Sequence, residues 1–316
     1  MLAAPTRASA ATRVRVVVTC THRKRLPVPD ALRLRHVTGV RQATRLRAWT
    51  ERLGANPAET LPARELYAGE HWDVARRLTA TTAPTRVELW VCSAGYGLIP
   101  ATSAIRPYSA TFTPGHADSI PDGAEGASAW WEALCDWGGL APGPRSIADL
   151  VANDSSSRIL LCLSATYLRA CADDIARVAE RTTRPGQLSI ISAGTKITNE
   201  LEDCLLPADA RLQGAVGGTR QALNVRIAEH LLAAGTIGHD EMAETLAKLL
   251  IDQPPLPIYN RRPASDTEVR AFIRGRLKTD PGASHTRLLR DFRDEGRACE
   301  QGRFAALFRA ETRRML

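Results

Sequence analysis

The stretch Val87–Asp118, VELWVCSAGYGLIPATSAIRPYSATFTPGHAD, decides how the chain is read. It opens with an apolar run, Val87–Cys92, of strand length. The run breaks at once into Ser93-Ala94-Gly95-Tyr96-Gly97, small residues around one aromatic. A buried strand that ends in glycines leaves backbone N–H groups free and lets a ligand come close. Pro100, Pro107 and Pro114 keep helix or central strand from resuming for long. The expectation is a long, polar-tipped loop at the carboxyl end of a strand, where open α/β sheets place binding crevices.

Similar runs lie on either side. Val14–Thr19 (VRVVVT) reads as a buried strand and runs into Cys20-Thr21-His22-Arg23-Lys24-Arg25. Arg158–Ser164 and Gln187–Ser192 read as further strands, the latter ending in Ala193-Gly194-Thr195-Lys196. Leu212–Gly218 is a fifth strand or an extended segment. It leads through Gly217-Gly218 to Thr219, which can cap a helix over Gln221–Ala234. Glycines before a capped helix form a potential anion site, although the Lys-Ser/Thr pair of a Walker loop is absent. Helical periodicity marks Val40–Leu53, Leu61–Leu78, Ser146–Ala152, Tyr167–Arg181 and Asp240–Leu250. Trp130, Trp131 and Trp137 fall on a helix, as core or as a stacking surface for bases. This alternation predicts an α/β fold with a mainly parallel four- or five-stranded sheet between helices. Its strand ends, rich in Ser, Thr, Gly and Lys, would share one edge and build one pocket.

Residues 1–13 read as a disordered leader without the apolar core of a secretory signal. Residues 14–251 form the α/β domain, and 252–264 a proline-rich linker. Residues 265–316 form a small three-helix module, opened by the capping box Ser265-x-x-Glu268. Three short helices with a net charge of +6 over 260–316 suit a helix-turn-helix-like unit. Arg287, Arg290, Arg293 and Arg303 are its nucleic-acid-binding candidates, and a plain structural bundle is the alternative.

The net charge of +8 is uneven: +10 over residues 1–64, −8 over 65–259 and +6 over 260–316. Arginine-rich ends make DNA a plausible partner, since guanidinium pairs with phosphate bidentately. Seven scattered cysteines with no CxxC pair argue against a disulfide framework or a close-spaced zinc site, and for a reducing cytoplasm. No run of eighteen apolar residues suggests a membrane span. No metal or cofactor is expected.

The pattern T-C-T-x-x-K at 19–24, the Tyr67–Trp72 region, S-A-G-Y-G-L-I-P at 93–100 and I-R-P-Y at 105–108 carry a resemblance. Over roughly residues 14–119 the chain resembles the uracil-DNA-glycosylase-like domain of archaeosine synthases and related phage and bacterial proteins. It departs from that pattern at Thr21, where the motif has serine. In size and fold class it is also similar to anti-phage DNA glycosylases that excise glucosylated hydroxymethylcytosine.

The resemblance implies cleavage of the N-glycosidic bond of a modified base, leaving an abasic site. Such cleavage passes through an oxocarbenium-like sugar and needs a carboxylate, donors for the departing base and a pocket for a flipped nucleotide. Asp118 is then the candidate catalytic carboxylate, with His116 its electrostatic partner. An Asx-turn or helix-cap role beside Ser119-Ile120-Pro121 is the structural alternative for Asp118. Tyr96 or Tyr108 would stack on the extruded base. Ser93 and the N–H groups of Gly95 and Gly97 would hold a phosphate or the base edge. Thr21 and Lys24 would grip backbone phosphate, and Asn224 and Arg226 complete the substrate-binding candidates. Two other readings remain open: a transglycosylase or other nucleobase-modifying enzyme on tRNA or DNA, and a non-enzymatic DNA-binding regulator.

Overall fold

The computed structural model describes residues 12–39, 41–80, 85–139, 142–181, 186–195, 199–256 and 259–315. Residues 1–11 of the expected leader, Lys196, and residues 257 and 258 of the expected linker lie outside the described residues. The chain divides into two compact units, residues 1–254 and 255–316.

The first unit is an α/β structure. Strand β1 (Thr12–Thr19) sits at the centre of a five-stranded sheet and begins two residues before the expected Val14, taking in the last two residues of the expected leader. The others are β2 (Thr85–Ser93), β3 (Gly97–Pro100), β4 (Arg158–Cys162) and β5 (Leu188–Ile191), in the order β3-β2-β1-β4-β5. β1 pairs in parallel with β2, Val18 opposite Val91, and with β4, Val18 opposite Cys162. β5 pairs in parallel with β4, and β3 alone is antiparallel, at the edge. Successive strand residues point to opposite faces, and Val16 and Val17 are both fully buried. Both faces of the sheet are therefore covered, which is why Val16–Val18 is an unbroken apolar run. The one buried cation of β1, Arg15, donates to the Leu150 carbonyl (2.5 Å) and pairs with Glu88 (3.3 Å).

Helices provide the cover: α1 (Gln42–Ala55), α2 (Glu70–Leu78), α3 (Gly123–Asp136), α4 (Ile147–Ala152), α5 (Ala165–Ala170), α6 (Ala172–Arg181), α7 (Leu223–Ala233) and α8 (His239–Ile251). α2 packs on α7, α3 on α1 and α5, and α4 on α6. Asp174 of α6 is fully buried and accepts from the Ile147 and Ala148 amides (2.8 and 3.1 Å) and from the Trp131 indole (3.1 Å). A carboxylate from one helix thus caps the first turn of another, where the helix dipole favours negative charge.

Three expectations change. The stretch after β2 is no open loop: it turns through Ala94-Gly95-Tyr96 into β3, with Ser93 paired to Gly97. Trp49 and Trp130 donate their indole N–H groups to the carbonyls of Gly95 and Ala94 (2.8 and 2.9 Å), so the turn is clamped from outside. Leu212–Gly218 is not a strand; Ala210–Leu212 is a 3-10 turn and Gln213–Val216 a helical turn. The Leu61–Leu78 stretch breaks in three, with Ala63–Leu66 a single helical turn between the other two pieces. Leu61–Pro62 pairs with Ala104–Ile105, and α2 starts only after Gly69, whose φ of +99° suits glycine.

The second unit holds α9 (Asp266–Thr279), α10 (His285–Asp294) and α11 (Gln301–Met315). Ser265 and Glu268 form the capping box at the start of α9. Ile273, Phe292 and Phe304 are fully buried at its centre. Glu311 of α11, also buried, accepts from Arg270 and Arg274 of α9. Arg262–Pro263 pairs in parallel with Arg297–Ala298 between α10 and α11. No helix among the described residues is long and apolar enough to cross a membrane.

Candidate functional site at the carboxyl edge of the sheet

The parallel strands end together. The Cys20 amide donates to the Cys92 carbonyl (3.0 Å), joining the ends of β1 and β2. Asn224 of α7 ties the next pair: its Nδ2 donates to the Leu163 carbonyl (2.8 Å) and its Oδ1 accepts from the Ala193 amide (3.0 Å). Both ends of that amide are spent on the strand termini, so Asn224 joins β4 to β5 rather than facing a ligand.

Beneath the edge lies a closed hydroxyl network. The Tyr108 hydroxyl meets those of Tyr67 (2.8 Å) and Ser93 (2.7 Å). Ser93 Oγ accepts from the amides of Gly95 (3.3 Å) and Tyr96 (3.0 Å). Tyr96 Oη accepts from the Arg106 amide (3.1 Å). Tyr67 and Tyr108 have no exposed surface, Tyr96 has 2%, and burial pushes all three phenols up. The sequence expectation is corrected here. The Gly95 amide is satisfied by Ser93, Gly97 is a sheet residue, and neither Tyr96 nor Tyr108 offers a ring face to an extruded base. Gly95 is needed for another reason: a Cβ there would lie 2.5 Å from two ring carbons of Tyr108.

Above the network the structure brings together Thr21, His22, Lys24 and His116. Lys24 is half-buried. Its ammonium donates to the Thr21 carbonyl (2.7 Å) and stands 4.3 Å from the centre of the Tyr108 ring, a cation–π contact. Burial brings its pKa down to about 8, against the opposing pull of Cys20 and Asp118. Thr21 Oγ1 donates to the Ala68 carbonyl (3.3 Å). His22, exposed, packs edge-on against His116, with ring centres 4.4 Å apart. Partial burial first, and the nearby Lys24 ammonium with it, lower the pKa of His22 from its ordinary value, which leaves it mostly neutral at pH 7.

Asp118 is not presented to solvent or to a ligand. Its side chain is fully buried and accepts from Arg35 through the backbone N (3.0 Å), Nε (2.8 Å) and Nη2 (2.5 Å), and from Ser109 Oγ (2.6 Å). Burial would raise its pKa, but the Arg35 and Ser109 bonds outweigh burial and hold the carboxyl far below the usual range. The Asp118 amide donates to His116 Nδ1 (3.1 Å). Nδ1 is then the acceptor, so the neutral ring carries its proton on Nε2. Asp118 and its loop position His116, the reverse of the order expected from sequence.

The glycine loop at Gly217-Gly218 already holds an anion from its own chain. Glu70 of α2 accepts from the Thr219 amide (3.1 Å) and pairs with Arg226 (2.7 Å). Arg226 is thus committed to Glu70, and Thr219 does not cap the helix with its side chain. In the second unit Arg287 pairs with Asp280 (3.1 Å) and Arg303 with Asp266 (2.5 Å), while Arg293 donates to the Cys299 carbonyl (2.9 Å). Arg290 is exposed and has no partner among the described residues.

No family model, curated protein or solved structure matches the chain. Among the described residues no three His, Cys, Asp or Glu side chains are placed to hold a metal ion. What the edge offers chemically is proton transfer and positive potential: an imidazole with a fixed donor, a neutral imidazole beside it, and a partly desolvated ammonium. His22 lies in the T-C-T-H-R-K run and was visible in sequence as part of a basic loop. Arg35 and Glu70 gave no local signal, because their partners lie 83 and 156 residues away.

Proposed function

We propose that the first unit cleaves the N-glycosidic bond of a modified base in DNA, with glucosylated hydroxymethylcytosine the first substrate to test. The observation that carries this reading is the fixed Nε2–H donor of His116, set beside His22 and Lys24 at the carboxyl edge of the sheet. In glycosidic cleavage the C1′–N bond breaks and its electron pair leaves with the base. Water then adds to C1′ and gives up a proton to solvent. His116 Nε2–H donates to the base as negative charge builds on it, and the Lys24 ammonium adds positive potential. Asp118 is held by Arg35 and Ser109, so this reading departs from the expected mechanism: it uses no carboxylate at the sugar cation and draws its acceleration from assisting the departing base.

The test incubates the protein, with EDTA present, with DNAs carrying normal, uracil, hydroxymethylated and glucosylated bases, followed by alkali. Breaks confined to one modified DNA are expected, and His116→Ala should slow them about a hundredfold. Breaks in none of the DNAs, or full activity in that variant, would end the proposal. Because Lys24 loses its charge as pH rises through about 8, the excision rate should fall across that range. A rate that stays flat from pH 7 to 9 would remove Lys24 from the reaction.

A further inference from the structure

The second unit carries a concavity of about 590 Å³ beside the first turn of α11. Three guanidinium groups line it, and each is oriented by a contact that leaves donors over. Arg261 Nε donates to the Arg293 carbonyl (3.0 Å) and its Nη groups have no partner among the described residues. Arg293 Nη2 donates to the Cys299 carbonyl (2.9 Å). Arg303 meets Asp266 through Nε and Nη2, which leaves Nη1. The one acid in the lining, Glu300, is occupied: its carboxylate accepts from the Gly302 and Arg303 amides (2.7 and 2.6 Å).

Beside Arg261 stands Tyr259, an aromatic that folding leaves uncovered. Its surface is 63% exposed, whereas Phe292 and Phe304 of the same unit are fully buried. The Arg261 guanidinium lies 3.9 Å from the centre of its ring. One face of Tyr259 is thus backed by a cation that also reaches the concavity, and the other face has no ring partner among the described residues. Clustered guanidinium donors suit phosphate, and an exposed ring on a fixed cation suits a nucleobase.

We propose that this surface binds single-stranded nucleic acid, with backbone phosphate among Arg261, Arg293 and Arg303 and one unpaired base stacked on Tyr259. A base held in a duplex has both faces covered by its neighbours, so a duplex would engage the arginines and not the ring. The inference shares with the proposed reaction only its class of partner, and it is tested by binding, apart from any cleavage.

The experiment measures fluorescence anisotropy of a labelled twelve-residue oligo-dT and a labelled twelve-base-pair duplex on the full chain, in EDTA. Tyr259→Ala should weaken oligo-dT binding about tenfold and Tyr259→Phe leave it within about twofold, because stacking needs the ring and not the hydroxyl. Duplex binding should change less than about twofold in both. Arg261→Ala should lower the salt slope for oligo-dT by about 0.7, one phosphate contact on a single strand. Wild-type affinity for oligo-dT in Tyr259→Ala, an equal loss for oligo-dT and duplex, or no oligo-dT binding by the wild type would each overturn the proposal. So would full displacement of oligo-dT by equimolar thymidine monophosphate, which would assign the surface to a free nucleotide. Tyr259 is exposed, so its variants should fold normally, and an unchanged circular-dichroism melt checks this.

Discussion

Asp118→Ala is expected to destabilise the first unit by about 3 kcal/mol. Removing one partner of a buried ion pair typically costs about 3–5 kcal/mol, because the groups left behind lose their acceptor away from water. Here the stranded donors are the Arg35 amide, its guanidinium and the Ser109 hydroxyl. The Arg35 side chain is 38% exposed and can recover some hydration, which places the cost at the low end. The pH dependence has a fixed sign. The folded carboxyl is held below its unfolded value of about 3.9, so its contribution is present above about pH 4 and fades as pH falls further. Urea unfolding at pH 7 and pH 3 tests both points. The wild type should lose more stability than the variant on acidification. An unchanged urea midpoint in Asp118→Ala at pH 7 would show that the clamp holds nothing.

Gly95→Ala is expected to cost about 3 kcal/mol, at the upper end for overpacking a core. The new methyl would lie 2.5 Å from Cδ2 and Cε2 of Tyr108, well inside contact distance. The ring has nowhere to go: its hydroxyl is held by Tyr67 and Ser93, and Lys24 stands over its face. Either the ring moves and those bonds break, or the clamped turn moves and loses Trp49 and Trp130. A double-mutant cycle isolates the clash. With Tyr108 already replaced by alanine, adding Gly95→Ala should cost little more. If the two losses simply add, the methyl clashes with something other than the ring.

The positions of both residues, and the small-residue S-A-G-Y-G turn at the end of a strand, could be read from sequence; the antiparallel strand that follows it and the roles of the two residues could not. Val14–Thr19 and the later apolar runs show themselves as strands because a parallel strand covered on both faces has no need of polar residues. The helix beginning at Ser265 shows itself because a capping box is a local device. The turn after Ser93 looks the same locally whether it opens into a binding loop or closes into a hairpin. The indoles that close it come from 46 and 36 residues away.

The same holds for charge. Two glycines before a helix are a good anion cradle in any sequence, and only the packing of α2 against α7 brings Glu70 there to fill it. A carboxylate beside a histidine near a strand end suits catalysis, and only the folded chain carries Arg35 across 83 residues to bury it in a salt bridge. The sequence by itself determined the four parallel strands, most of the covering helices and the edge on which the polar strand ends gather, because hydrophobic period and turn chemistry act over a few residues; it did not show the antiparallel strand β3. Tertiary structure decided which polar groups satisfy one another and which are left to act, because that depends on partners brought together by topology alone.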